Sequence, residues 1–319
     1  MEPHVADLDE DALLALLFPL LPRGAGTLLG PGDDAAVVTA GDGRVVVSTD
    51  VLVEGRHFRT EWSTGADVGW RAAMANLADV AAMGARPTAV VVGLVLPGAT
   101  PVAWVTDLAA GLAEACAPHG VGVVGGDLSG GDQIVVSVTV LGDLSGRAPV
   151  RRAGARPGDV VGHAGVLGHS AAGLALLTAK TALVEGDAAF VDAYLRPRPP
   201  IEAGAVAAVD ATAMIDISDG LVRDAGRLAR ASAVVIDLDR LSADLAVLEP
   251  VAERLGTAPL EWLLAGGEDH GLLATFPPDA DVPAPFRVIG SVRPADTGAS
   301  VLVAGKAPVG ITGWDHFAG

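Results

Sequence analysis

The sequence predicts a two-domain α/β (α+β) protein with a mixed sheet in its N-terminal half. Three observations support this. At 319 residues the chain is long enough for two domains of ordinary size. Apolar runs of strand length alternate with longer segments of helical spacing along most of it. Between the halves, GRAPVRRAGARPGD (Gly146 to Asp159) is rich in Gly, Pro and Arg and lacks periodicity, so residues 1–146 and 147–319 are expected to form separate domains.

The elements follow in order. Asp9 to Leu17 is Leu-rich at helical spacing and ends before Pro19. Ala35–Thr39 and Val45–Thr49 read as strands joined by the turn GDGR. Thr64 to Met83 has a helical pattern, with Thr64 as N-cap and Gly84 just past the end. A strand (Thr88–Leu96) precedes a helix (Val102–Ala117) stopped by Pro118 and Gly120. Gly122–Val124 and Ile134–Leu141 read as strands flanking a loop, GGDLSGGDQ, and the hairpin-like connections predict a sheet that is not purely parallel. Past the boundary come a strand (Val160–Ala164), a helix opened by Ser170, a helix near Asp187–Leu195 and, after RPRPP, another helix. The strand Met214–Ile217 runs through SDG into a helix reaching Ala231. Then follow the strand Val234–Leu238, weaker helices, the strand Leu272–Phe276 and a strand-like set from Arg287 to Ile311.

Half the residues are hydrophobic and few are charged, which excludes a disordered chain. The longest apolar stretch, Ala89 to Leu96, is too short to span a bilayer, and the acidic start MEPHVADLDEDALL lacks a signal pattern, so a soluble cytoplasmic protein is expected. The single Cys116 rules out a disulfide framework and a cysteine metal site. A formal charge of −18 argues against nucleic-acid binding, which needs a basic face.

Six short acidic clusters stand out: GPGDDAAV, STDVLVEGRHF, NLADVAAMGA, GGDLSGGD, IDISDGL and GGED. One would be an ordinary turn; six, several of them next to apolar strands, point to hard divalent cations and, through them, to phosphate. Bound Mg²⁺ also reverses the repulsion an acidic pocket would exert on a phosphate ligand. The only lysines, Lys180 and Lys306, lie in no phosphate-binding loop, and the strand lysine and H-R-D loop of protein kinases are missing. In STD, two hydroxyls and a carboxylate offer compact oxygen ligands at a strand's end. Asn76 and Asp79 are three residues apart and share a helix face among Ala, Leu, Val and Met, where a charge is costly unless paired or metal-bound. Gly125 and Gly126 permit close backbone approach beside Asp127. Asp216 and Asp219 bracket Ser218, and Gly220 opens a helix whose N-terminal amides favour an anion. His57 follows STD closely enough to share its pocket, or else is a solvated loop residue. Trp314 is either core or a stacking surface for a cationic ring.

Together with a terminal WDHF, these motifs, in this order over nearly the whole chain, resemble thiamine-monophosphate kinase of the aminoimidazole ribonucleotide synthetase-like superfamily. The resemblance implies an N-terminal ATP/Mg-binding domain whose sheet pairs with that of a second subunit, a C-terminal α/β domain, and a homodimer. It implies ATP-dependent phosphorylation of thiamine monophosphate with several Mg²⁺ ions and no general base. Carried over by position, the metal ligands are Asp34, Ser48, Thr49, Asp50, Asp79, Asp127, Asp216 and Asp219. ATP contacts are Gly126, Asp127, Arg151 (or the adjacent Arg152) and Ser218, and thiamine phosphate meets His57, Glu268 and Trp314. Sister families fit less well: selenophosphate synthetase needs a reactive cysteine near the N-terminus, and the hydrogenase-maturation relative needs one at the C-terminus. A ribonucleotide synthetase fits GGED and the terminal aromatic less well, and a non-catalytic metal–nucleotide binder would not need every ligand position occupied by a competent residue.

Overall fold

A computed structural model of the chain describes residues 3–31, 35–180, 182–295, 301–310 and 313. Two compact units emerge, one of residues 1–80 and 85–147, the other of residues 81–84 and 148–319.

The first unit opens with α1 (Glu10–Leu17), capped by the Asp9 carboxylate, which accepts from Ala12 N–H at 2.8 Å. It continues through β1 (Thr27–Leu29), β2 (Val37–Val38), β3 (Val46–Val53), α2 (Gly65–Ala82), β4 (Arg86–Leu96), α3 (Val102–Cys116), β5 (Gly122–Gly130) and β6 (Val135–Asp143). Its main sheet has the order β3-β6-β4-β5, with β4 and β5 parallel and the other pairs antiparallel. The mixed sheet expected from the sequence is therefore present, but three details differ. The segment around Val37 pairs with β1 rather than forming a hairpin with β3. β3 runs on to Val53, so Ser48, Thr49 and Asp50 sit inside a strand instead of at its end. β5 runs on to Gly130, so GGDLSG is an edge strand and not a loop. Among the glycines that suggested a loop, Gly126 serves packing: a Cβ there would lie 2.1 Å from the Val92 carbonyl oxygen of the neighbouring strand, whereas Gly125 and Gly130 face open space.

Thr64 is the N-cap of α2 as expected, its hydroxyl accepting from Asp67 N–H at 3.2 Å while the Asp67 carboxylate accepts from Thr64 N–H at 2.9 Å. The two helices meet along glycines. Ideal Cβ atoms on Gly69 and Gly111 would lie 2.1 Å from the Leu108 carbonyl and 2.0 Å from that of Ala66. Alternation along β6 buries Val136, Val138 and Val140, and the opposite face leaves Val47, Val51 and Val91 exposed on neighbouring strands.

The second unit contains β7 (Val160–Ala164), α4 (His169–Ala179), α5 (Asp187–Leu195), α6 (Ile201–Ala207), β8 (Ala213–Ile217), α7 (Leu221–Ser232), β9 (Val234–Leu238), α8 (Ser242–Leu255), α9 (Pro259–Ala265), β10 (Gly271–Phe276), β11 (Arg287–Pro294) and β12 (Val301–Val303). Its sheet has the order β12-β9-β11-β7-β10-β8, antiparallel except for β12 beside β9. β8, β9 and β10 are buried along their whole length, so they read as largely apolar runs in which Asp216 and Asp237 are buried charges. Val161, Ile215, Ile236 and Leu273 share one core with Leu221, Leu248 and Leu263 of the helices.

Candidate active site

In the first unit the acidic residues divide by sheet face. Ser48 and Asp50 alternate with Thr49 along β3, so they point one way and Thr49 the other. On the helix side, the Ser48 hydroxyl donates to the Asp79 carboxylate at 2.6 Å, and Asp50 N–H donates to the Asn76 side-chain oxygen at 3.1 Å. Asn76, buried in α2, spends its amide on the Ala72 carbonyl at 2.9 Å and so holds its oxygen toward β3. The expected shared face of Asn76 and Asp79 is real, and it brings Ser48, Asp50 and Asp79 together. Thr49 instead donates to the Val138 carbonyl at 2.9 Å and accepts from the Thr139 hydroxyl.

Asp127 lies apart from this group. The register Asp50–Val138–Val92–Gly126 runs straight across the sheet, placing Asp127 one position further along the opposite edge strand. Three strand spacings make that about 14 Å, and the alternation turns its side chain to the outer face, with Val51 and Thr49. Beside Gly125, Gly126 and Asp127 opens a cavity of about 740 Å³ with apolar walls that include Leu14, Phe18 and Val105. His57, half-buried in the turn after β3, accepts from Val53 N–H through Nδ1 at 2.9 Å, which leaves its ring proton on Nε2.

In the second unit, β8 delivers Asp216 and the following turn delivers Ser218 and Asp219. Asp224, fully buried in α7, accepts from both Ser218 N–H (3.1 Å) and Asp219 N–H (2.9 Å) and so fixes that turn. Burial, then Asp216, push the Asp224 carboxyl up to about 6, which places the three carboxylates in one electrostatic cluster. Arg227 answers it, donating to Asp219 at 2.6 Å and to Asp224. The Glu268 N–H donates to the Ser218 carbonyl at 2.8 Å, which brings GGED to the same turn. Next to Glu268, Asp269 points inward and caps α4, accepting from Ser170 N–H at 2.8 Å and from Gly168 N–H; burial raises its carboxyl to about 7 against those donors. His270 is buried, with Nδ1 3.9 Å from Asp216 and Nε2 3.7 Å from Glu268. Burial pushes this imidazole down, but the two carboxylates outweigh it and raise it to about 10.

Arg151 and Arg152 are both exposed, their carbonyls accepting from Met214 N–H and the Ser232 hydroxyl respectively, so either side chain can reach a ligand. Asp34 and Trp314 lie outside the described residues. Asp224, Arg227 and His270 escaped the sequence reading, whereas Asp269 was legible only as part of GGED. The i,i+3 pair in LVRDAGR resembles a solvated helix face, and only its helical spacing with Leu221, Ala225 and Leu228 hints that Asp224 points inward. Among the described residues no three acidic, histidine or cysteine side chains form a preformed metal cage. Oxygens of Ser48, Asp50 and Asp79 and of Asp216 and Asp219 dominate the donors that converge, which suits Mg²⁺ rather than a softer metal, while the His270 nitrogens are turned to carboxylates.

Residues 32–144 match the family described as AIR synthase related protein, N-terminal domain, and residues 156–293 its C-terminal domain. The thiamine-monophosphate kinase of Mycobacterium tuberculosis is 49% identical over 318 residues, covering 99% of this chain and 93% of the relative. The chain belongs to the thiamine-monophosphate kinase family. The family's enzyme from Corynebacterium glutamicum is 41% identical over 99% of this chain and 95% of its own. Among solved structures of the family, AaThiL complexed with AMPPCP and TMP superposes with a TM-score of 0.78 at 36% identity, covering 89% of this chain and 91% of that one. The AIR synthase-like fold expected from the motifs is therefore the fold of this chain.

Proposed function

We propose that this chain transfers the γ-phosphoryl group of ATP to the phosphate of thiamine monophosphate, giving thiamine diphosphate and ADP. The observation that carries this reading is the pair of carboxylate-rich clusters, at β3/α2 and at β8/α7, in a family whose solved member holds an ATP analogue and TMP. A bond forms between an acceptor phosphate oxygen and the γ-phosphorus as the β–γ bridging bond breaks. The acceptor oxygen is already ionised at neutral pH, so no general base is needed. The obstacle is charge: two unit charges about 4 Å apart repel by roughly 4 kcal/mol at an effective dielectric of 20. Mg²⁺, when bound, supplies the charge neutralisation that lets two anions approach.

Ser48, Asp50 and Asp79, with Asp34, Thr49 and Asp127, would hold metal in the domain of residues 1–146, and Asp216 and Asp219 in that of residues 147–319. Gly126, Asp127, Arg151 and Ser218 would meet ATP, and the apolar cavity beside Gly126 suits an adenine ring. His57, Glu268 and Trp314 would meet thiamine phosphate. The chain would act as a homodimer through the outer face of its N-terminal sheet, where Val47 (63% exposed) and Val51 lie bare. That pairing would also bring Asp127 of one copy toward Thr49, on the outer face of the other copy, and so to the strand that carries Ser48 and Asp50. We place the enzyme in the cytoplasm; among the described residues no helix is long and apolar enough to cross a membrane.

The test is direct. Purified protein with radiolabelled ATP, thiamine monophosphate and Mg²⁺ is expected to yield labelled thiamine diphosphate, and chelation is expected to stop it. Folded protein that hydrolyses ATP or stays inert without forming thiamine diphosphate would overturn the reading.

A further inference from the structure

The segment from Gly266 to His270 is held to the second unit at three points. Glu268 N–H donates to the Ser218 carbonyl at 2.8 Å, His270 N–H to the Ile217 carbonyl at 2.9 Å, and the Asp269 side chain caps α4. Glu268 and His270 both have positive φ, 69° and 51°, a backbone region that residues with side chains occupy only when their surroundings impose it. The result is that Asp269 points into the core while Glu268 and His270 meet on the other side, beside Asp216.

The His270 side chain is 6% exposed, and neither of its nitrogens has a hydrogen-bond partner. A buried imidazole in this state is costly unless charge compensates it, and a hydrophobic side chain would fill the space more cheaply. The compensation is specific: one nitrogen faces the Asp216 carboxylate, whose side chain is 7% exposed, and the other faces that of Glu268, which is 33% exposed. The ring therefore connects an enclosed acid to one that reaches solvent. We propose that His270 is a positioning residue for thiamine monophosphate: lodged between Asp216 and Glu268, it fixes the direction in which Glu268 presents its carboxylate to the substrate. This rests on the reading of Glu268 as a thiamine-phosphate ligand.

The experiment compares Glu268→Gln, His270→Phe, His270→Gln and the double variant Glu268→Gln/His270→Phe. Three quantities are read: thiamine monophosphate affinity by calorimetry without ATP, KM for each substrate, and the thermal midpoint. His270→Phe is expected to weaken thiamine monophosphate binding and raise its KM by about tenfold, equivalent to about 1.4 kcal/mol, while KM for ATP moves less than about twofold. His270→Gln, which keeps a donor, is expected to recover part of the loss, and the double variant to bind no worse than Glu268→Gln alone. If His270→Phe does not fold, His270→Gln is judged by the same split between substrates. Equal changes for both substrates, a lowered midpoint with unchanged binding, or additive losses in the double variant would each overturn the proposal. If Glu268→Gln itself binds thiamine monophosphate normally, the assignment of Glu268 fails and His270 loses its role. If Glu268→Gln binds weakly but His270→Phe binds normally, only the positioning role fails.

Discussion

Asp79 reaches from a helix to a strand hydroxyl, and its carboxylate oxygens are the atoms a cation would take. Asp79→Asn keeps an acceptor for Ser48 and removes the charge, so the fold is expected to persist. Turnover is expected to fall by about 10²–10³, the usual cost of removing one electrostatic contact to a transferring group. Steady-state rates at saturating Mg²⁺, beside circular dichroism of the same sample, check it; a rate within tenfold of wild type would remove Asp79 from the metal set. His163 makes a different prediction. It is fully buried in β7 with Nδ1 3.4 Å from Arg287, and Asp244 pairs with the same guanidinium nitrogen. Burial, and then Arg287, lower its imidazole to about 3, below the ordinary 6.5. The folded state thus refuses a proton that the unfolded chain accepts. The stability this gives is present above pH 6.5 and is lost as pH falls toward 3, at about 1.4 kcal/mol per pH unit. Urea unfolding of wild type and His163→Leu at pH 7 and pH 5 is expected to show wild type losing more stability, by up to about 2 kcal/mol. Parallel losses in the two proteins would mean that His163 is not the group responsible.

At the level of elements, the contact between α2 and α3 is set by glycine. An alanine at Gly69 would gain about 1 kcal/mol in helix propensity if exposed. Here its Cβ would lie 2.1 Å from the Leu108 carbonyl, so the helices must separate. Overpacking is expected to win, with Gly69→Ala losing about 1–3 kcal/mol in urea unfolding. A gain in stability would show that the seam can open freely. The same glycines explain what the sequence made legible. α2 and α3 were plain from their spacing and punctuation, Thr64 and Gly84 for the first and Pro118 and Gly120 for the second. The buried strands of the second unit were plain because apolar residues dominate them, broken only by single acids such as Asp216 and Asp237. β5 was hidden because close approach to β4 demands glycine at Gly126, and a glycine-rich stretch in a sequence looks like a loop. For the site, Asn76 with Asp79 could be read because helical spacing alone puts them on one face. The grouping of Asp224, Arg227 and His270 depends on how β8, α7 and β10 meet, which local spacing does not encode.

Taken as a whole, the main sheet of the first unit keeps two sets of expected ligands on opposite edges, Ser48 and Asp50 on β3 and Asp127 on β5. If two copies pair through the outer face, each site draws on both chains. Light scattering is then expected to report a dimer. Mixing the inactive Asp79→Asn and Asp127→Asn proteins after subunit exchange is expected to restore about a quarter of wild-type activity, since half the dimers are mixed and each has one intact site. No recovery after demonstrated exchange would mean that both residues serve within one chain.

β3 does two jobs by parity. Positions 48 and 50 turn toward α2, while 47, 49 and 51 turn outward. Substitution disturbs one face at a time. Loss of a single residue would exchange the faces wholesale, putting Asp50 outside and a valine against Asp79. What this stretch must transmit from generation to generation is therefore its length, more strictly than its letters. Spare length can accumulate just upstream, where residues 41–45 are exposed throughout and an inserted residue would leave the phase of the strand untouched.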